Sequence, residues 1–227
     1  MLEVSNLNAG YGAVQVIREL ALNVRPGEVV SLVGRNGVGK TTTLKALVGV
    51  ADVMSGAVVV QGKTLRGAQL SDMCRLGVGY IAQQREVCPD LTVEQNLLLP
   101  LYANRLNRRQ IDDVYARFER LSQRRKQVAG SLSGGERKLL AFARVMLLKP
   151  KVYLIDEPTE GLMPQAIEDI GRLIADLQAG GACVLLVEQN LEMIQRLSTR
   201  ICLMNNGRIE ATVSRLDDHL IQKFLGI

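Results

Sequence analysis

The sequence predicts an α/β fold with a parallel sheet at its centre, and three patterns predict it. Continuous apolar runs recur at Val29–Val33, Val152–Ile155 and Ala182–Val187, each with the length of a strand buried on both faces. Between the last two runs lies an amphipathic helix that presents Ile167, Ile170, Ile174 and Leu177 to one side. A glycine-rich loop joins the first run to a helix. Apolar strands alternating with amphipathic helices pack as a sheet covered on both faces.

The elements follow in order. Val14–Val24 alternates apolar and polar residues and reads as a strand, turned by Arg25-Pro26-Gly27. Glu28–Val33 is the strand that enters the glycine loop, Lys40–Val48 is the helix behind it, and Gly49 ends that helix. Val58-Val59-Val60 reads as a short strand, turned by Gln61-Gly62. From about residue 85 to 149 the pattern becomes helical. Ile111, Val114, Tyr115, Phe118 and Leu121 form one apolar stripe, and Leu139, Leu140, Phe142, Ala143, Met146 and Leu147 mark a second helix ending before Pro150. This stretch reads as a helical lobe inserted into a single domain spanning 1–227. After it, Pro164 suits the first turn of the amphipathic helix, which stops at Gly180-Gly181. Strands at Ile201–Met204 and Arg208–Val213 and a short tail helix close the chain.

Composition narrows the function classes. With 227 residues, 47% of them hydrophobic and 22% charged, the chain can bury a sizeable core, which excludes a disordered or fibrous protein. No apolar run approaches the ~18–20 residues that cross a bilayer, and no leader pattern opens the sequence, so a cytosolic protein is expected. Cys74, Cys88, Cys183 and Cys202 are dispersed, without a Cys-x-x-Cys pair, and read as reduced thiols rather than a zinc site or disulfide framework. The net charge of +5 is uneven: eight basic residues from Arg105 to Lys126 face three acids, Asp112, Asp113 and Glu119. A solvated helix face explains them better than a nucleic-acid footprint, because aromatics make up only 4% of the chain.

Gly34-Arg35-Asn36-Gly37-Val38-Gly39-Lys40-Thr41 fits G-x-x-x-x-G-K-[ST] between an apolar strand and a helix, the context a P-loop requires. Its glycines let successive N–H groups turn toward phosphate oxygens, and the helix N-terminus adds partial positive charge. Lys40 is expected to reach the β- and γ-phosphates, Thr41 to ligate Mg²⁺, and Thr42 to bond the α-phosphate. Val152–Ile155 ends in Asp156-Glu157, two acids at the rim of the sheet. Asp156 is expected to hold Mg²⁺ through water and Glu157 to act as general base. Guanine recognition by Asn-Lys-x-Asp is absent.

A second candidate cradle is Leu132-Ser133-Gly134-Gly135-Glu136, a Ser-Gly-Gly turn opening a helix. It caps that helix in any case. It gains a further use if it closes on the γ-phosphate of ATP held by another protomer.

With these segments in place, the chain closely resembles the ATP-binding subunit of ABC transporters over essentially its full length. Leu132–Glu136 is similar to the signature, and Asp156-Glu157-Pro158-Thr159 to the end of the Walker B strand. The resemblance implies a RecA-like core with an antiparallel β region and a helical lobe. It implies that Tyr11 stacks on adenine and that Gln83 senses Mg²⁺ and the membrane partner, with Gln84 an alternative one residue on. It also implies a dimer sharing its ATP sites, either homodimer or paralogous heterodimer, on the cytoplasmic face of a membrane. Its partners would be transmembrane permease subunits, with a periplasmic or extracellular solute-binding protein engaged indirectly, and no nucleic acid is expected.

Gly34–Thr42, Gln84-Arg85-Glu86-Val87-Cys88-Pro89-Asp90-Leu91-Thr92-Val93-Glu94-Gln95-Asn96-Leu97, Asp156–Leu162 and Val187-Glu188-Gln189-Asn190 resemble importers of branched-chain amino acids, urea and short amides. That branch often carries glutamine where most relatives have a switch histidine. Gln189 is therefore expected to position the γ-phosphate and water, although it cannot carry a proton. His219, the one histidine, is expected at the surface. Met163 replaces the usual aspartate of the loop after Walker B, which weakens the expected contacts to an opposite P-loop. The rivals are a soluble ABC ATPase acting on nucleic acid or ribosomes, an exporter's ATPase and a non-catalytic ATP-binding adaptor.

Overall fold

The computed structural model of this chain, describing residues 1–65, 67–84 and 87–226, contains two sheets and a group of helices between two strands of the larger one. Arg85 and Glu86, part of the segment that resembles the importers, lie outside the described residues. From the N-terminus, β1 (Leu2–Tyr11) and β2 (Val14–Val24) pair as a hairpin, and β3 (Val29–Val33) leads to α1 (Lys40–Leu47). Next come β4 (Asp52–Val60), β5 (Lys63–Thr64) and β6 (Val78–Ile81). Four helices follow: α2 (Val93–Ala103), α3 (Gln110–Arg117), α4 (Glu119–Gln123) and α5 (Gly134–Met146). The chain continues through β7 (Val152–Asp156), α6 (Pro164–Ala179), β8 (Cys183–Val187), α7 (Leu191–Leu197), β9 (Arg200–Asn205), β10 (Arg208–Val213) and α8 (Asp218–Phe224).

The larger sheet has the order β10-β9-β3-β8-β7-β6, parallel except for β10. Alternate residues of its strands enter different cores. Tyr153, Ile155, Val184 and Leu186 pack among Leu97, Phe142, Ile170 and Ile174 of the helices. Val152, Leu154, Cys183, Leu185 and Val187 face α1 and the antiparallel sheet, through Leu44, Leu47, Leu7 and Leu20. Burial on both faces is why these strands read as unbroken apolar runs. Cys183 and Cys202 are buried in β8 and β9, and all four cysteines are free thiols.

The smaller sheet is antiparallel, ordered β2-β1-β4-β5. One of its strands, β4, differs from the sequence expectation, and another, β1, lies in a segment for which the sequence suggested no element. β4 begins at Asp52 rather than Val58, because β1 supplies backbone partners to residues 52–57 although their side chains are exposed. β1 has no clean alternation, since register shifts between Val4 and Leu7 and between Leu7 and Ala9 carry its buried side chains past the period of two.

The stripe from Ile111 to Leu121 is not one helix. Phe118, at φ −116° and ψ 72°, separates α3 from α4, and the break places Phe118 and Leu121 in the same core as Ile111 and Val114. The basic segment also differs from its count of acids. Arg108 pairs with Glu94, Arg117 with Asp176 and Arg124 with Glu136, at 3.0, 2.6 and 3.0 Å, while Arg120 lies 3.9 Å from Asp169. Four carboxylates distant in sequence thus face four of its eight cations, as on a solvated face.

Candidate active site

Parallel strands deliver their C-terminal ends to one edge, and the loops after β3, β6, β7 and β8 meet there. They enclose a cavity of about 280 Å³ lined by Asn36, Gly37, Gly39, Lys40, Thr41, Thr42, Gln83, Glu157, Glu160 and Gln189.

The floor is the turn into α1. Gly37 and Gly39 have φ of +81° and +108°, a region L-residues rarely enter. Gly39, the residue before α1, has no side chain with which to cap it, so the first N–H groups of the helix can turn to an anion. Gly34 is required for space: a Cβ there would lie 2.4 Å from the Met204 carbonyl oxygen. Val38 sits behind the loop in the second core, and its carbonyl accepts from Gly207 N. The Lys40 ammonium is buried and donates to the Gly34 and Arg35 carbonyls at 2.7 and 3.0 Å. Burial lowers its pKa, with Glu157 and Asp156 acting in the opposite direction.

Asp156, at the end of β7, is fully buried. It accepts from the Thr41 hydroxyl at 3.0 Å and from the Tyr80 hydroxyl at 3.4 Å. Burial raises its pKa, and the nearby Glu157 charge adds to the rise, while the Thr41 and Tyr80 bonds oppose it. The Thr41 hydroxyl, the Asp156 carboxylate and the Gln83 amide oxygen are hard oxygen donors, and the first two are adjacent. That set suits Mg²⁺, which takes few protein ligands and keeps its waters and phosphates.

Glu157 follows with φ +43°, a left-handed conformation unusual for a residue with a side chain, and its N–H donates to Val187 O at 2.9 Å. The turn aims the carboxylate into the cavity, where two amides hold it. Gln189 Nε2 donates to Oε1 at 2.7 Å and Gln83 Nε2 to Oε2 at 2.8 Å. Gln83 Nε2 also donates to Glu160 Oε2 at 2.7 Å, so both its N–H groups are spent on carboxylates. Gln84 is exposed and does not line the cavity, so Gln83 is the one of the pair that reaches it.

Other expected residues lie apart. Tyr11, at the end of β1, is 43% exposed and does not line the cavity. Ser133, Gly134, Gly135 and Glu136 form a capping box on α5: the Ser133 hydroxyl accepts from Glu136 N, and Glu136 Oε2 accepts from Ser133 N. Burial acts to raise the Glu136 pKa, but the Ser133 donors and Arg124 outweigh it and hold it low. Gly134 lines a neighbouring hollow of about 890 Å³, shared with Gln83 and Glu160, rather than the phosphate cavity. His219 is exposed on α8, and Met163, 78% exposed, opens α6 without a side-chain cap.

Three participants escaped the sequence reading. Glu160 borders both hollows, the Lys138 ammonium lies 3.4 Å from the Gln83 carbonyl, and the buried Glu188 underpins the Gln189 backbone. Lys138 had a signal, as a lysine on the buried side of an amphipathic helix; the other two had none short of the fold.

Both the sequence and the fold are similar to those of known proteins. A family model described as ABC transporter matches residues 17–160. The chain is 37% identical over 211 residues to the high-affinity branched-chain amino acid transport ATP-binding protein BraG of Pseudomonas aeruginosa, covering 92% of this chain and 91% of that protein. It is 34% identical to a probable branched-chain amino acid transport ATP-binding protein, LivF, of Archaeoglobus fulgidus, covering 96% and 95%. It is 31% identical to the lipopolysaccharide export system ATP-binding protein LptB of Haemophilus influenzae, covering 93% and 90%. Among solved structures, an ATP-binding subunit of an ABC transporter superposes with a TM-score of 0.83 at 30% identity, covering 98% of this chain and 92% of that one.

Proposed function

Because the chain belongs to the ABC transporter family, as one of its ATP-binding and ATP-hydrolysing subunits, we propose that it energises import of branched-chain amino acids, urea or short amides. The carrying observation for the ATPase chemistry is the placement of Glu157 in the P-loop cavity with each carboxylate oxygen bonded to a glutamine amide. The BraG and LivF relatives support the branched-chain amino acids among these substrates.

In this reading the uncapped start of α1 and the Lys40 ammonium receive the phosphates. Thr41, Asp156 and the Gln83 amide oxygen would hold Mg²⁺, which would supply neutralisation of charge on the phosphate oxygens. Glu157 accepts the proton of the attacking water. The two amides fix its orientation without competing for that proton, since neither can titrate, and each carboxylate oxygen retains a lone pair. Tyr11, exposed at the end of β1 and outside the cavity lining, stacks on the adenine in this reading. Ser133–Glu136 sit apart from the phosphate cavity of their own chain, which favours service to the site of a facing protomer. Residues 85–149 act as a lobe that carries this signature and meets the membrane partner.

No helix among the described residues is long and apolar enough to cross a membrane, so the pore is assigned to separate permease subunits. The LptB relatives favour a second reading, in which the same ATPase drives export. Affinity purification from the native membrane with mass spectrometry separates them. Permease subunits accompanied by a solute-binding protein support the importer, and recovery of lipid-export components overturns it.

A further inference from the structure

We propose that Glu188 is a positioning residue for ATP hydrolysis, holding Gln189 against Glu157 and tying that contact to Thr159 on the loop after β7. Glu188 is 2% exposed. Its Oε1 accepts from two successive backbone N–H groups, Gln189 N at 2.7 Å and Asn190 N at 2.9 Å. Its Oε2 accepts from the Thr159 hydroxyl at 2.8 Å. One carboxylate therefore joins the two loops whose side chains meet in the cavity.

These bonds do not serve to cap α7, because Asn190 does so through its own side chain to Met193 N. They fix the two peptide units that set where the Gln189 side chain departs, while Glu157 N bonded to Val187 O fixes the other side of the same junction. A buried carboxylate is a poor way to gain stability, since desolvation opposes it even when hydrogen-bonded. Its use here is to deliver two acceptor oxygens in opposite directions, one to converging N–H groups and one to a hydroxyl. A glutamine keeps the same partners with one bond reversed: its carbonyl oxygen accepts both N–H groups, and its amide donates to the Thr159 oxygen instead of accepting from it.

The inference rests on the reading that Glu157 and Gln189 act together in hydrolysis, and its test distinguishes the two. Single-turnover hydrolysis, ATP affinity and Tm are measured on the full chain for Glu188→Ala, Glu188→Gln and Thr159→Val, each alone and combined with Gln189→Ala. Glu188→Ala is expected to slow the chemical step about 10- to 100-fold, the cost of a side chain displaced by about 1 Å, with ATP affinity within about threefold. Glu188→Gln retains at least about a third of the rate, because its carbonyl oxygen still accepts both backbone N–H groups and its amide still bonds the Thr159 oxygen, with the direction of that one bond reversed. In the Gln189→Ala background, Glu188→Ala adds less than about twofold, as expected of two residues acting through one contact.

Wild-type rates in Glu188→Ala beside a slow Gln189→Ala overturn the proposal alone. Losses that multiply in the double variant overturn it too, because Glu188 then acts elsewhere. Unchanged hydrolysis in Gln189→Ala overturns the underlying reading and the proposal with it. If the Tm shows that Glu188→Ala does not fold, Thr159→Val decides: a slower step that vanishes in the Gln189→Ala background supports the proposal, and no effect in either background overturns it.

Discussion

The side-chain amide of Gln189 donates to Glu157 Oε1 at 2.7 Å, joining the ends of β8 and β7 across 32 residues of sequence. Glutamine does not gain or lose a proton near neutral pH, so its part in this contact is orientation. Gln189→Ala should lower kcat about 10- to 100-fold through a misdirected Glu157 while ATP still binds, measured by single turnover and nucleotide affinity.

The same contact predicts a pH profile. The exposed His219 on α8 lies away from the cavity, so wild-type turnover should lack an imidazole limb. Gln189→His should acquire one centred near pH ~6.5, the ordinary imidazole value. A pH–rate series on the two proteins checks this, and superimposable profiles would argue that residue 189 does not reach the reacting groups.

Asp156 links the site to stability. Its pKa is raised in the fold, chiefly by burial, so folding favours the protonated acid. Its stabilising contribution is present in full below the unfolded carboxylate pKa of about 3.9 and is lost as pH rises through the higher folded value. Asp156→Asn should therefore melt higher than wild type at neutral pH without nucleotide or Mg²⁺, by a few degrees at most, with the gap closing under acid. Thermal melts at several pH values test the sign.

Gly34→Ala should damage the loop directly. The new Cβ would fall 2.4 Å from the Met204 carbonyl oxygen, and backbone must move to make room. Overpacking of this kind costs about 1–3 kcal/mol, and here the displacement reaches the turn that cradles phosphate. Reduced Tm together with weakened ATP binding is the expected pair.

What was legible in the sequence was contiguous. The loop from Gly34 to Thr41 and the acidic end of β7 could be read because one short segment contains each, and buried strands announce themselves by apolar runs. Relations between distant segments could not be read. Nothing in the order of residues says that Gln83 rather than Gln84 meets Glu157, that Glu188 reaches Thr159, or that Asp169 and Asp176 of α6 face the basic segment. Periodicity failed where backbone geometry interrupts it, at the register shifts in β1 and at the break before α4. Exposed β4 residues were silent for another reason: pairing with β1 holds them extended, and their side chains bury nothing.

The general-base role of Glu157 is tested most directly by single-turnover ATP hydrolysis by Glu157→Gln beside wild type, with ATP binding measured on both. The glutamine keeps the size of the side chain but cannot accept the proton of the attacking water. ATP binding is expected to stay close to wild type and the rate to fall by about 10²–10⁴-fold, as on removing a general base. A rate near wild type would overturn the assignment of Glu157 as that base.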